Sequence, residues 1–263
     1  MRSYTYYFVI GLFLLSSCGN PKTDLLSKIE NLTTELGENQ SGQGRAELAN
    51  LQASYVNAYP TDSVSKAYLE NISFFYLMVD STALAKKYAN QYLSQYPEDK
   101  NANDIALVVA KAELKEGNYK VAVEAFESVQ QNTMLSVTDM RSLGEALLAL
   151  AQDDDIDGND VYYFKHAAIL EQTQGMQASI DALSVFHAKY PASTIGPSVM
   201  MVYADKLEKN GDIEEAKSVL NLIMSQYPES SQAATAKSMI DNELVGLTAE
   251  EQLEKILQNK SSN

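Results

Sequence analysis

Apolar and small residues between Met200 and Pro228 recur three or four positions apart in two runs, which is the spacing of one helix face. The first run contains Met200, Tyr203, Ala204 and Leu207, and the second contains Ala216, Leu220 and Ile223. Asn210 and Gly211 separate the two runs, and Pro228 cannot continue the second helix. The pattern predicts a helical hairpin, which needs similar neighbours to bury its apolar face.

The same plan occurs earlier in the chain. Residues 66–97 show helical spacing, a break near Asp80 and an ending at Tyr96-Pro97. The intervals from Pro60 to Pro97 and from Pro191 to Pro228 are both 37 residues. Residues 103–134 form a further copy that ends at Met134 instead of proline. These repeated motifs predict an array of stacked hairpins.

The interval from Pro97 to Pro191 is irregular, because its 94 residues exceed two repeats by 20. A helix from about Ser136 to Ala151 has the offsets of a first hairpin helix, but the acidic insertion 153–160 follows in place of its partner. We therefore expect one extra helix or irregular segment here, and a kink in the array.

The repeat pattern predicts a domain from 24 to 245, with a first helix from about Asp24 to Leu36. After Pro228, Ser230 or Ser231 is predicted to cap a helix that Gly246 ends. Thr248 and Glu251 form a capping-box pattern. Residues 246–263 are therefore expected to be a C-terminal capping helix and tail.

The first seventeen residues have the organisation of a signal peptide, with Arg2 before an apolar run from Tyr7 to Leu15 that is too short to span a bilayer. The sequence Leu15-Ser16-Ser17-Cys18 resembles the lipobox of bacterial lipoproteins. This resemblance implies cleavage after residue 17, a diacylglyceryl group on Cys18, and a tether over residues 18–23. The alternative is an ordinary secretory signal with an incidental cysteine. Because Cys18 is the only cysteine, the chain has no internal disulfide.

The chain is acidic, with 35 aspartate and glutamate residues against 20 lysine and arginine residues and a net charge of −15. Such a surface repels phosphate, which argues against a nucleic-acid partner. It also repels anionic headgroups, so membrane attachment would depend on the lipid.

The hairpin offsets resemble the tetratricopeptide repeat, whose small residues and terminal proline match Ala204, Ala216 and Pro228, Ser73, Ala85 and Pro97, and Ala167, Ser179 and Pro191. The resemblance implies an all-α, right-handed superhelix that binds protein or peptide segments. In this family the first helix of each hairpin lines a concave groove. The matching groove positions are Glu70, Phe74, Leu77, Lys111, Lys115, Arg141, Glu145, Met201 and Asp205.

A lipobox followed by repeats that end in Tyr-Pro is similar to repeat lipoproteins of envelope biogenesis, such as those of β-barrel assembly and the Tol-Pal system. This similarity implies a scaffold at the outer membrane, with the periplasmic side favoured because only Asp24 is acidic soon after Cys18. The alternative is a surface or periplasmic ligand-binding lipoprotein of a nutrient-uptake system.

Other candidate chemistry is sparse. Asp153, Asp155, Asp157 and Gly158 match the opening of a calcium loop, but position twelve is Phe164, so a solvated acidic connector is the alternative. His166 and His187 lie in separate predicted helices and have no paired carboxylate motif. We expect neither enzymatic activity nor a cofactor.

The run from Phe74 to Met78 is the most apolar segment after the signal, and one helix face cannot hold five consecutive residues. Part of it must therefore face outward or another helix. It either contributes to the groove or packs between neighbouring hairpins.

Overall fold

The computed structural model describes residues 20–37 and 42–261, and all regular elements within these ranges are α-helices. The predicted signal peptide 1–17 and Cys18 lie outside the described residues. The helices are α1 (Pro21–Leu36), α2 (Gly42–Ala58), α3 (Ser65–Met78), α4 (Thr82–Gln95), α5 (Ala102–Lys115), α6 (Tyr119–Gln130), α7 (Val137–Ala151), α8 (Asn159–Gln174), α9 (Met176–Ser184), α10 (Phe186–Lys189), α11 (Gly196–Asn210), α12 (Ile213–Gln226), α13 (Ser231–Asp241) and α14 (Ala249–Ser261). None of these described helices is both long and apolar enough to cross a membrane.

Successive helices pack against each other along the chain, from α1 with α2 through to α12 with α13. Helices in equivalent positions of neighbouring hairpins also touch, namely α3 with α5, α5 with α7, and α11 with α13. The buried apolar side chains form consecutive clusters along the chain instead of one central core. This is the packing of stacked hairpins, and the predicted all-α hairpin fold is confirmed.

The small residues predicted at the hairpin contacts are buried. Four of them have no exposed surface, namely Ser73, Ala85, Ala167 and Ser179, and the same is true of Ala110 and Ala122 in the copy between residues 103 and 134. Ala204 and Ala216 are 3% and 0% exposed. Small side chains at these positions let the two helices of a hairpin approach closely. The two members of each pair are twelve residues apart in the sequence.

Each Tyr-Pro ending of the first hairpins is followed by an aspartate that links three helices. The hydroxyl of Tyr92 on α4 donates to Asp99 Oδ1 at 2.6 Å, and the backbone N–H of Asn101 before α5 donates to the same oxygen at 3.0 Å. Lys66 on α3 pairs with the other carboxylate oxygen. The Lys66 and Tyr92 bonds lower the pKa of Asp99, whereas burial and the same carboxylate raise the pKa of Tyr92.

The preceding junction repeats this arrangement except for the tyrosine bond, since the buried Tyr55 hydroxyl has no hydrogen-bond partner among the described residues. Asp62 accepts from the backbone N–H of Val64 at 3.1 Å and pairs with Lys22 of α1. The sequence contains a pattern that marks these aspartate contacts, because Asp62 and Asp99 both lie two residues after a Tyr-Pro pair.

The predicted extra helix is α7. It packs directly against α8, a contact that the sequence did not predict. A short turn over 152–158 leads into α8, which packs along α7. At the contact, a Cβ atom on Gly144 would lie only 2.9 Å from Ile169 Cγ2, and His166 Nδ1–H donates to the Gly144 carbonyl at 2.8 Å. The opposite partner of α8 is α9, at the predicted Ala167 and Ser179 pair. The helix α8 is therefore shared between two hairpins.

The predicted helix ends are close to the observed ones, with two corrections. The helix predicted to end at Gly246 is α13, and it ends at Asp241, because Glu243 already has a positive φ. α1 begins at Pro21, inside the predicted tether 18–23, because Asn20 caps it by accepting from the Lys22 N–H at 3.1 Å and proline suits the first turn. At the other end, the Thr248 N–H donates to Glu251 at 2.7 Å and the Glu251 N–H donates to the Thr248 hydroxyl at 3.3 Å. The predicted capping box is confirmed, and Ser230 caps α13.

Candidate functional site

Seven of the nine predicted groove residues line one of three grooves. Four of them meet in a groove between α3, α5 and α7, called the central groove, which has a volume of about 530 Å³ and is lined by Leu77, Lys111, Leu114, Lys115, Tyr119, Thr138, Ser142 and Glu145. Met201 and Asp205 line a second groove, and Phe74 lines a third. Glu70 and Arg141 line none of these three.

Both lysines of the central groove are already engaged in ion pairs. Lys111 Nζ lies 2.6 Å from Asp139 Oδ1, and the Asp139 residue is only 7% exposed. Burial opposes ionisation of Asp139, but the bonds from Lys111 and Ser136 outweigh it, so that the pKa of this carboxyl is lowered. Lys115 pairs with Asp80, the left-handed residue at the α3–α4 turn. The lysines therefore tie neighbouring hairpins together.

The remaining polar groups of the central groove are more available. Glu145 is exposed, and none of the described residues forms an ion pair with it. Tyr119 at the start of α6 is 37% exposed, and the Thr138 and Ser142 hydroxyls lie on the α7 side. Leu77 and Leu114 supply apolar surface between these groups. The groove thus offers hydrogen-bonding and apolar surface in roughly equal measure.

The second groove, called the C-terminal groove, lies between α11, α13 and the start of α14. It has a volume of about 560 Å³, and its lining includes Met201, Asp205, Met239, Leu247 and Gln252. Asp205 is bound to Lys209 of its own helix at 2.7 Å. Glu208, also in the lining, accepts from the Gly246 N–H at 2.8 Å and so closes one end of the groove.

The third groove, called the amino-terminal groove, contains part of the apolar run from Phe74 to Met78. Tyr76 is buried and Phe75 packs against the same cluster, whereas Phe74 and Met78 are 38% and 65% exposed. Part of this run therefore lines a groove and part packs between neighbouring hairpins, so both alternatives predicted from the sequence occur. The groove has a volume of about 310 Å³ and also contains Arg45 and Gln52, which the sequence analysis missed. Arg45 and Arg141 are the only arginines after residue 2, and this rarity was the available signal.

The other two predicted groove positions, Glu70 and Arg141, line none of the three grooves. Glu70 accepts a hydrogen bond from Asn101 Nδ2 at 2.9 Å, which joins α3 to the start of α5. Arg141 is exposed on α7, away from the lining of the central groove.

The other candidate chemistry is not assembled into a site. Within 20–37 and 42–261, no three histidine, cysteine, aspartate or glutamate side chains converge to hold a metal, so the calcium-loop carboxylates Asp153, Asp155 and Asp157 do not form such a group. Asp153 instead accepts from the Asp155 N–H at 3.0 Å, which shapes the turn. His187 lies 3.2 Å from the Tyr227 hydroxyl and packs edge-on against that ring.

Comparison with known proteins supports the repeat assignment. A family profile described as tetratricopeptide repeat matches residues 203–230, which include the second half of α11 and all of α12. The profile covers 28 of the 263 residues, so it identifies one tetratricopeptide repeat, at α11 and α12.

Two crystal structures of putative kinesin light chain nearly identical TPR-like repeats from Podosopora anserina are similar to this repeat chain. One covers 81% of this chain and 99% of its own length, at 14% identity and a TM-score of 0.33. The other, a variant of the same repeats with one substitution, covers 83% and 99%, at 14% identity and a TM-score of 0.34. No curated protein matches the chain.

Proposed function

We propose that this chain is a membrane-anchored helical-repeat scaffold of the bacterial envelope, which holds a segment of another envelope protein in the central groove. The observation that carries the proposal is the convergence of Leu77, Lys111, Lys115 and Glu145 from three helices on one groove. These residues were predicted only from their positions within the repeat, and the repeat family that the sequence resembles binds protein segments. A groove of about 530 Å³ accommodates several side chains of such a segment.

The chemistry of the central groove indicates what kind of segment it binds. Leu77 and Leu114 accept an apolar side chain, and the Tyr119 ring extends this surface while its hydroxyl remains able to hydrogen-bond. Glu145 favours a basic group beside it, because the two lysines are already neutralised by Asp139 and Asp80. The proposed partner segment therefore carries an apolar residue next to lysine or arginine.

The proposed location rests on residues outside the described part of the chain and on their immediate successors. Lipid on Cys18 would anchor the protein, and Gly19 and Asn20 lack the aspartate that retains lipoproteins at the inner membrane in familiar sorting systems. We therefore assign the outer membrane, with the repeats on the periplasmic side.

Site-specific photocrosslinking in cells tests this function. With p-benzoylphenylalanine in place of Tyr119, we expect an adduct with one defined envelope protein. The adduct should weaken when Leu77→Ser or Glu145→Lys is added, because these changes remove the apolar contact and reverse the charge. The matched control places the same photoreactive residue at Val185, which is 49% exposed and lies outside the central groove. Equal adducts at both positions, or none at Tyr119, would contradict the proposal.

A further inference from the structure

The amino-terminal groove exists because the first hairpin is out of register with the others. α1 ends at Leu36, which lies 24 residues before the repeat proline Pro60. α3 ends at Met78, which lies only 19 residues before Pro97. Relative to α3, α1 therefore stops more than one helical turn early. Among the described residues, α1 therefore ends before the position that would match the end of α3, where Phe74 and Met78 are exposed.

The charge of this groove differs from that of the rest of the molecule. Among the described residues, its lining holds one cationic side chain, Arg45, and no carboxylate, in a chain of net charge −15. By contrast, Glu145 lines the central groove, and Asp205 and Glu208 line the C-terminal groove. The lining of the amino-terminal groove is Thr33, Arg45, Leu48, Ala49, Gln52, Asn71, Phe74, Phe75 and Met78.

Two polar side chains of this groove have hydrogen-bonding groups to spare. Arg45 Nε is buried and has no acceptor among the described residues. Gln52 is only 6% exposed, and no hydrogen bond to its side chain is formed by the part of the chain that the structure describes. A buried N–H group without an acceptor is costly, and a guanidinium binds a carboxylate more strongly than any neutral acceptor.

We propose that the amino-terminal groove binds an amphipathic segment of a partner protein, which places one acidic side chain on Arg45 and apolar side chains on Phe74 and Met78. The carboxylate pairs with the Arg45 guanidinium, which is half-buried and has no ion-pair partner among the described residues, and Gln52 hydrogen-bonds to the same segment. The apolar side chains cover the surface that the early end of α1 leaves open. This site is separate from the central groove, which favours a basic group instead.

Fluorescence anisotropy with two synthetic peptides tests this site on the folded chain without residues 1–17. Both peptides are about twelve residues long, acetylated and amidated, with leucines three and four positions apart around a central glutamate or glutamine. We expect the glutamate peptide to bind roughly tenfold more tightly than the glutamine peptide. Arg45→Gln should abolish this difference, because the difference depends on the guanidinium. Met78→Ser should weaken both peptides about equally, because it removes apolar contact only.

The matched controls are Arg141→Gln, which alters the other described arginine, and Met134→Ser, which alters a methionine that is 93% exposed. Neither control should change the affinity, and neither should the central-groove variant Tyr119→Ala. Circular dichroism melting of each variant identifies any loss of folding. A further variant, Arg45→Lys, retains the positive charge but lacks the Nε atom.

Three results would overturn the proposal. One is the absence of peptide binding at about 1 mM, and another is equal affinity for the glutamate and glutamine peptides. The third is an Arg141→Gln effect as large as that of Arg45→Gln. Any of these outcomes leaves the crosslinking test at Tyr119 unaffected, so that failure of the two sites can be told apart.

Discussion

At the scale of single residues, the close approach of paired helices depends on side-chain size. Ala204 on α11 and Ala216 on α12 are almost completely buried in a cluster with Leu207, Leu220 and Ile223. A larger side chain at either alanine has no space to enter, since packed interiors hold few voids.

The variant Ala204→Leu should therefore lower the free energy of unfolding by about 1–3 kcal/mol through overpacking. Urea denaturation followed by circular dichroism measures this change. Ala234→Leu is the control, because Ala234 is exposed on α13 and the same substitution should have little effect there. A loss below about 0.5 kcal/mol at Ala204 would show that α11 and α12 are not in close contact.

At the scale of helices, the contact of α7 with α8 carries the irregular part of the array. It combines the absence of a side chain at Gly144 with the His166 bond to the Gly144 carbonyl. Burial lowers the pKa of His166 and outweighs the favourable effect of that bond on the charged ring. The folded state therefore prefers the neutral imidazole.

Stability should consequently depend on pH near neutrality. The unfolded histidine has a pKa of about 6.5, so the contribution of neutral His166 is fully present above that pH and is lost as the pH falls. Urea midpoints between about pH 5.5 and 7.5 should decline with acidification, and His166→Gln should flatten the decline. His187→Gln is the matched control. If both variants retain the slope of the original protein, His166 is not the group responsible.

At the scale of the whole molecule, the negative charge would oppose the effect of the proposed lipid anchor at a membrane. A net charge of −15 disfavours contact with anionic headgroups, and none of the described helices could span a bilayer. In the proposed function, a diacylglyceryl group on Cys18 provides the two acyl chains that stable anchoring needs.

The variant Cys18→Ser should therefore move the protein from the membrane fraction to the soluble fraction of the cells. Immunoblotting after fractionation and a high-salt wash gives the distribution. Arg141→Gln, which alters a residue remote from the anchor, should remain in the membrane fraction. A Cys18→Ser protein that still sediments with outer membranes would show that the lipid is absent or is not the only anchor.

The sequence by itself determined the features that depend on neighbours a few residues away. The spacing of Ala204 and Ala216 predicted a hairpin contact, and Thr248 with Glu251 predicted a helix cap, because helix periodicity and capping are local properties. It also placed Leu77, Lys111 and Glu145 on one side of the array, since equal repeat offsets point in equal directions.

Only the tertiary structure decided how distant residues meet. It joined Gly144 to Ile169 in the shared packing of α8, it paired Lys111 with the buried Asp139, and it left Arg45 Nε without an acceptor among the described residues. Such contacts depend on the register in which helices far apart in the chain lie against each other. The local pattern of α1 or α3 alone does not show that α1 ends five residues earlier in its repeat than α3 does, and packing depends on helix ends as well as on helix faces.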